Sequence, residues 1–317
     1  MVGGSGKKVG GIITRIVLGL ALLGAIAMLA WPAIRDRYGL QILDAVDKVA
    51  GGTGGARLAL KSAAYGPLPA QRLDLCVPDR PGTARPVLVW VHGGGWNSGS
   101  PGDYHFIGRT FARAGYVVVI PGYRLVPDGV YPHMIEDTAK ALAWTRENVA
   151  AHGGDPDRVV IMGQSAGAYN VAMVALERQW LGREGVPDGF IKGVIGLSGP
   201  YDFYPFTSDS ARAAFGKVDP PQITQPITYV RGDAPPMLLI TGDNDVTVKP
   251  RNSRALGDAL RQAGAQVDVV IVPGANHADT VAKLAAPLSR DRRVIDPVLR
   301  FLAAHTPPSA PVQAAGR

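Results

Sequence analysis

The sequence predicts an α/β fold: a mostly parallel sheet with helices on both faces, preceded by an apolar N-terminal segment. Three observations point there. Short apolar runs alternate with helix-length stretches along the chain. The runs are almost continuously apolar, as strands buried on both faces are. A Gly-x-Ser-x-Gly pentapeptide, Gly163–Gly167, sits where one such run gives way to a helical stretch.

The chain opens with a basic stretch, residues 1–15, expected on the cytoplasmic side. Residues 16–34 follow without a charge. A helix of that length rises about 28 Å, close to a bilayer's hydrocarbon thickness. Lys7, Lys8 and Arg15 ahead of it favour a cytoplasmic N-terminus, with the remainder extracytoplasmic, periplasmic or extracellular. Two readings stay open: a retained transmembrane anchor, or a signal segment cleaved near Ala25–Ala27 that releases a secreted protein. Residues 35–56 read as a linker, because Gly51–Gly55 is "GGTGG".

The body is expected over 57–305. Strand-like runs fall at Arg57–Ser62, Gln71–Cys76, Val87–Val91, Tyr116–Ile120, Arg158–Met162, Ile191–Leu197, Met237–Thr241 and Val267–Val272. Helical spacing covers Tyr131–His152, Ala166–Glu177, Arg251–Gly264 and Ile295–His305. Residues 201–233, rich in Pro, Tyr and Phe, break the rhythm and are expected to form a small cap. The Pro/Ala-rich 306–317 reads as a disordered tail.

Composition narrows the class. A 46% hydrophobic and 19% charged chain of 317 residues suits an enzyme-sized core and excludes a disordered chain. The net charge of +7 does not mark a nucleic-acid-binding face. Residues 1–40 alone hold Lys7, Lys8, Arg15, Arg35 and Arg37 against Asp36, and no basic cluster is interleaved with aromatics. Cys76 stands alone, so no intrachain disulfide forms. No metal-ligand spacing, phosphate-cradling loop or dinucleotide fingerprint is present, so no metal and no cofactor is expected. Oligomeric state has no signature in the sequence.

The chemistry gathers around Ser165. A Gly-x-Ser-x-Gly between strand and helix is the setting of a nucleophile elbow, which exposes the hydroxyl on a sharp turn. A serine needs a base in reach and an acid to orient that base. After such an elbow the acid comes next in chain order, then the histidine. Downstream of Ser165 stand His277, just after an apolar run, and His305, beside the tail. His277 is the candidate base. Asp243 and Asp245 both follow the Met237–Thr241 run; Asp245 is the candidate acid, and Asp243 reads as a turn-former. His92 precedes the nucleophile and reads as a residue that holds its loop. The glycines of "HGGGW" after Val87–Val91 suit a loop that turns N–H groups onto a developing oxyanion. Gly94, Gly95 and Ala166 are the candidate donors.

These residues resemble the α/β-hydrolase superfamily. Within it, "HGGGW", "GQSAG", "GDNDVTV" and "GANH", with "YGPLPAQRLDLCVPD" (Tyr65–Asp79), are similar to the esterase/lipase branch. That branch includes feruloyl-esterase-like, hormone-sensitive-lipase-like and kynurenine-formamidase-like enzymes. The resemblance spans about residues 57–305. It implies the α/β-hydrolase fold with an eight-stranded sheet, Ser165 as nucleophile, Asp245 as acid, His277 as base, and Gly94, Gly95 and Ala166 as oxyanion hole. The spacing of Asp245 to Val248 matches the branch. One departure stands out: the hormone-sensitive-lipase-like group carries a large N-terminal cap, and here that place is taken by the apolar segment and linker.

The expected activity is a serine hydrolase that cleaves carboxylic esters with small or aryl acyl groups through an acyl-enzyme. An amidase or formamidase would use the same residues. A non-catalytic binding module on this fold is the reading from another class. Trp96, Tyr201 and Phe203 either line a substrate pocket or pack the cap onto the body; Tyr123, Arg124 and Asp137 read as structural.

Overall fold

The computed structural model describes residues 39–307 apart from 53 and 83. One eight-stranded sheet has the order β1-β2-β4-β3-β5-β6-β7-β8. Its strands are β1 (Ala56–Ala64), β2 (Arg72–Pro78), β3 (Arg85–Val91), β4 (Val117–Pro121), β5 (Gly154–Gln164), β6 (Ile191–Leu197), β7 (Met237–Gly242) and β8 (Val267–Val272). β2 runs antiparallel to both β1 and β4; every other pair is parallel. The expected α/β-hydrolase sheet is therefore present, with all eight strands at the apolar runs that announced them.

Period-two alternation splits the core. Val87, Val89 and Val91 of β3 face one side, against α3 (His133–Asn148), α4 (Ala166–Leu176) and α7 (Arg251–Gln262). Leu88 and Trp90 face the other, against α2 (His105–Arg113) and α9 (Arg292–His305). Both faces are covered, so the parallel strands are apolar throughout. Two short helices complete the frame, α5 (Gln179–Arg183) and α8 (Asp279–Ala282). The chain leaves β3 for β4 on one side and β5 on the other, so the order reverses beside β3. Crevices form at the carboxyl ends of strands at such a point.

Three sequence expectations need correction or delimitation. The linker expected over 35–56 contains a helix, α1, over residues 39–51. It is docked, because the Arg109 guanidinium of α2 reaches both Asp44 and Asp47, at 2.7 and 2.8 Å. Asp47 also accepts from the Ala286 N–H at 2.9 Å. The start of the tail is likewise tied down: Thr306 is buried, and its carbonyl accepts from Arg158. The expected cytoplasmic stretch 1–15, membrane segment 16–34 and residues 308–317 lie outside the described residues. Among the described residues, no helix is long and apolar enough to cross a membrane.

The 201–233 region contains α6 (Asp209–Phe215) and two 3-10 turns. It packs ring on ring: Phe215 lies 4.7 Å from Trp96, and Phe203 lies 5.4 Å from Phe215. Trp96 is buried, and its indole N–H donates to Asn170 Oδ1 at 3.3 Å. Tyr201 is fully buried. These two rings pack the insertion onto the body. Phe203, half-buried, joins the same cluster.

Candidate active site

β5 ends at Gln164 and α4 begins at Ala166, which leaves Ser165 alone on the turn. Its backbone is left-handed, with φ 54° and ψ −119°. A non-glycine residue held there stores strain of order 1–3 kcal/mol, which the surroundings must over-determine. They do: Ser165 N–H donates to Leu197 O of β6 at 2.8 Å, and Ser165 O accepts from Tyr169 at 3.1 Å. Gly167 permits the crossing, because a Cβ there would stand 2.0 Å from Val91 O.

The loop after β3 brings its own donors. Gly94 has φ +108°, and a Cβ on it would stand 2.1 Å from Ser98 O. Its carbonyl is held by the N–H groups of Asn97 and Ser98 and by Ser98 Oγ, at 2.9–3.1 Å. The N–H groups of Gly94 and Gly95 donate to no protein group among the described residues. Ala166 opens α4, so its N–H has no intrahelical acceptor. Three free donors thus flank the elbow.

His92 holds this loop. Its Nδ1 lies 2.8 Å from Gly93 O, and its ring stacks on Tyr123 at 4.4 Å. Tyr123 donates its hydroxyl to His92 O at 2.9 Å. Burial pushes the imidazole's pKa down to about 4, so the ring is neutral and donates through Nδ1–H. The neighbouring loop is clamped by Arg124, which grips Asp137 through two 2.8 Å bonds, while Gln71 donates to the same carboxylate at 2.7 Å. The Asp137 carboxylate raises the Arg124 pKa further, so this clamp stays charged.

The acid and base come from the next two strands. Asp245, after β7, has a fully buried side chain, and its Oδ2 lies 2.8 Å from His277 Nδ1. Its Oδ1 accepts from the N–H groups of Thr247 and Val248 at 3.0 and 2.8 Å. Asp243 accepts from Gly274 N–H at 2.6 Å and makes no contact with the imidazole; it ties the two loops together. The His277 loop is fixed by Asn276 and Asp279, which cap each other's N–H groups, and by Thr280 Oγ1, which donates to His277 O at 3.1 Å.

One contact escaped the sequence reading. Gln164, the residue before Ser165, sets its amide nitrogen 3.3 Å from His277 Nε2 and 3.5 Å from His277 O. The imidazole therefore has Nδ1 on Asp245 and Nε2 on the Gln164 amide, one residue before Ser165; no hydrogen bond between Ser165 Oγ and His277 is present among the described residues. A variable position inside the pentapeptide gave no signal of this. Another surface hollow, lined by Arg146, Glu147, Asp157 and Lys192, lies at the opposite ends of β5 and β6 and holds none of the candidate residues.

Residues 73–260 match the BD-FAE family. The chain is 30% identical over 240 residues to the isoprenylcysteine alpha-carbonyl methylesterase of Arabidopsis thaliana, an alignment that covers 69% of this chain and 56% of that one. It is 35% identical over 245 residues to esterase LipQ of Mycobacterium tuberculosis, covering 70% and 56%. The chain spans little more than half the length of these curated relatives. Among solved structures, esterase B from Lactobacillus rhamnosis superposes with a TM-score of 0.70 at 22% identity, over 89% of this chain and 96% of that one.

Proposed function

The chain belongs to the BD-FAE family, in the esterase branch of the α/β-hydrolases, and on that premise we propose that it is a serine carboxylic ester hydrolase. Ser165 Oγ attacks the ester carbonyl carbon while His277 Nε2 takes its proton. Asp245 keeps the proton on Nδ1, orients the ring and stabilises the imidazolium. The carbonyl oxygen, now negative, accepts from the N–H groups of Gly94, Gly95 and Ala166, each worth roughly 3 kcal/mol of barrier. His277 then returns the proton to the leaving alkoxide. Water, deprotonated by the same imidazole, hydrolyses the acyl-enzyme and regenerates Ser165.

The observation that supports this reading is the 2.8 Å Asp245–His277 pair, its carboxylate fully buried, with the imidazole against Gln164 next to a strained serine turn. The acyl group is small or aryl: the rings of the 201–233 insertion pack against Trp96 and occupy that flank of the oxyanion loop. The test is labelling with a fluorophosphonate probe, beside turnover of p-nitrophenyl esters. Labelling of the wild type that disappears in Ser165→Ala supports the reading. Absence of labelling, or equal labelling of the variant, overturns it.

A further inference from the structure

A cleft of about 800 Å³ opens beside the reaction centre. Leu40 and Leu43 of α1, Val246 after β7, and Val281 and Ala282 of α8 form its apolar wall beside His277 and Gly94; Gln41, Ser98, Asp103, Thr247, Asn276 and Asp279 form its polar rim. That volume falls in the range that encloses a drug-sized molecule, far more than a methyl group needs. Its aliphatic lining depends on α1, the helix docked by Arg109 onto Asp44 and Asp47.

The other flank of the oxyanion loop is occupied. Ser210 of α6 sits over Gly95, where an added Cβ would meet its side chain at 3.2–3.3 Å. Behind it stand Trp96, Phe203 and Phe215, in contact with one another. Room for a long chain is therefore on the His277 side and not on the insertion side.

Chemistry says which half of an ester lies there. When the tetrahedral intermediate collapses, the bond between the acyl carbon and the alkoxide oxygen breaks. The electron pair leaves on that oxygen, and the proton first taken from Ser165 passes to it from His277 Nε2. The alcohol half must therefore stand against the imidazole. Resting on the serine-esterase reading above, we infer that the cleft between α1 and the His277 loop receives the alcohol half of the substrate, and that this half is an extended aliphatic chain joined to a short acyl group.

The experiment uses the full chain and two ester series followed by acid release. One series is acetates of methanol through decanol; the other is methyl esters of acetic through decanoic acid. Burial of a methylene is worth about 0.8 kcal/mol, so kcat/KM rises by up to about fourfold per methylene along the alcohol series, and stays flat or falls along the acyl series. Leu43→Asn lowers the octyl-to-methyl acetate ratio of kcat/KM about fifteenfold, the value of two methylenes. Leu40→Trp, which fills the cleft, moves the preferred alcohol to a shorter chain. A steeper acyl series, or an octyl-to-methyl ratio unchanged in both variants, overturns the inference. If the wild type turns over methyl acetate but shows no dependence on alcohol length, only the cleft assignment falls. If it turns over no ester and takes no fluorophosphonate, the esterase reading falls with it.

Discussion

His277 and Asp245, 32 residues apart, meet at 2.8 Å through Nδ1 and Oδ2, and the carboxylate's second oxygen is held by two backbone N–H groups. The acid is thus fixed before the base arrives. Asp245→Asn keeps the shape but offers an N–H where Nδ1–H must donate, which forces the other tautomer. We expect kcat to fall by roughly 10⁴-fold with KM little changed. Steady-state kinetics on a p-nitrophenyl ester decide it, and a loss under tenfold would remove Asp245 from the relay.

The loop after β3 makes a second prediction. At Gly94 both the positive φ and the 2.1 Å approach to Ser98 O exclude a side chain. Gly94→Ala displaces an oxyanion donor, and kcat drops on the order of 10²–10³-fold. The same clash with backbone lowers the melting temperature, so the rate is read well below the variant's measured unfolding transition, where the loss of about 10²–10³-fold is expected to persist.

His92 predicts a pH dependence of stability. Its folded pKa lies near 4, below its unfolded value of 6.5, because burial opposes the charged ring. Above pH 6.5 neither state binds the proton. As pH falls from 6.5 towards 4 the unfolded chain takes it up and the folded one does not, so stability is lost across that window, by up to ~3 kcal/mol. Urea unfolding at pH 7.5 and 4.5 measures the loss. In His92→Asn it shrinks; an equal loss in both proteins would place its origin elsewhere.

Arg109 holds α1 through two carboxylates in a nearly dry contact. Burial raises the Asp44 pKa, but hydrogen bonds from Lys48 and Arg109 outweigh it, and the net direction is down. Arg109→Met leaves the buried Asp47 carboxylate without its cation and Asp44 with Lys48 alone. A destabilisation of about 3–5 kcal/mol is expected, together with faster amide exchange in residues 39–51. Unchanged exchange there would mean that α1 is held by its apolar contacts alone.

Residues 16–34 carry the last prediction. If they are a retained anchor, full-length protein is expected to sediment with membranes and resist carbonate extraction, and a chain that starts at residue 36 is expected in the supernatant. A full-length chain whose intact mass shows loss of the first 27 residues, found free of membranes, would favour the signal-segment reading instead.

The central parallel strands β3 to β7 were legible because each carries an apolar run, as strands buried on both faces do. Towards the sheet's edges, β1, β2 and β8 were legible through apolar residues broken by Arg57, Lys61, Asp74 and Asp268. Ser165, His277 and Asp245 were legible because their loops follow such runs. What stayed hidden depends on partners remote in sequence. Residues 39–51 read as linker because Gly51–Gly55 dominates their C-terminal end; the cation that fixes Asp44 and Asp47 lies 62–65 residues downstream. Helix α2 escaped because its apolar face, Phe106, Ile107 and Phe111, is interrupted by Arg109, whose burial makes sense only beside α1. Trp96 and Tyr201 were ambiguous for a related reason: an aromatic next to a catalytic loop has the same composition whether it greets a ligand or a neighbouring ring.

The docking of α1 also sets a length scale. From Ile34 to Leu40 there are six Cα steps, which span at most about 22 Å when fully extended. Whatever fixes the upstream apolar stretch in space therefore leashes Leu40, and with it the mouth of the cleft, to within that radius. Were the stretch seated in a bilayer, the enzyme would graze amphiphiles at the lipid boundary and sample the bulk solution far less.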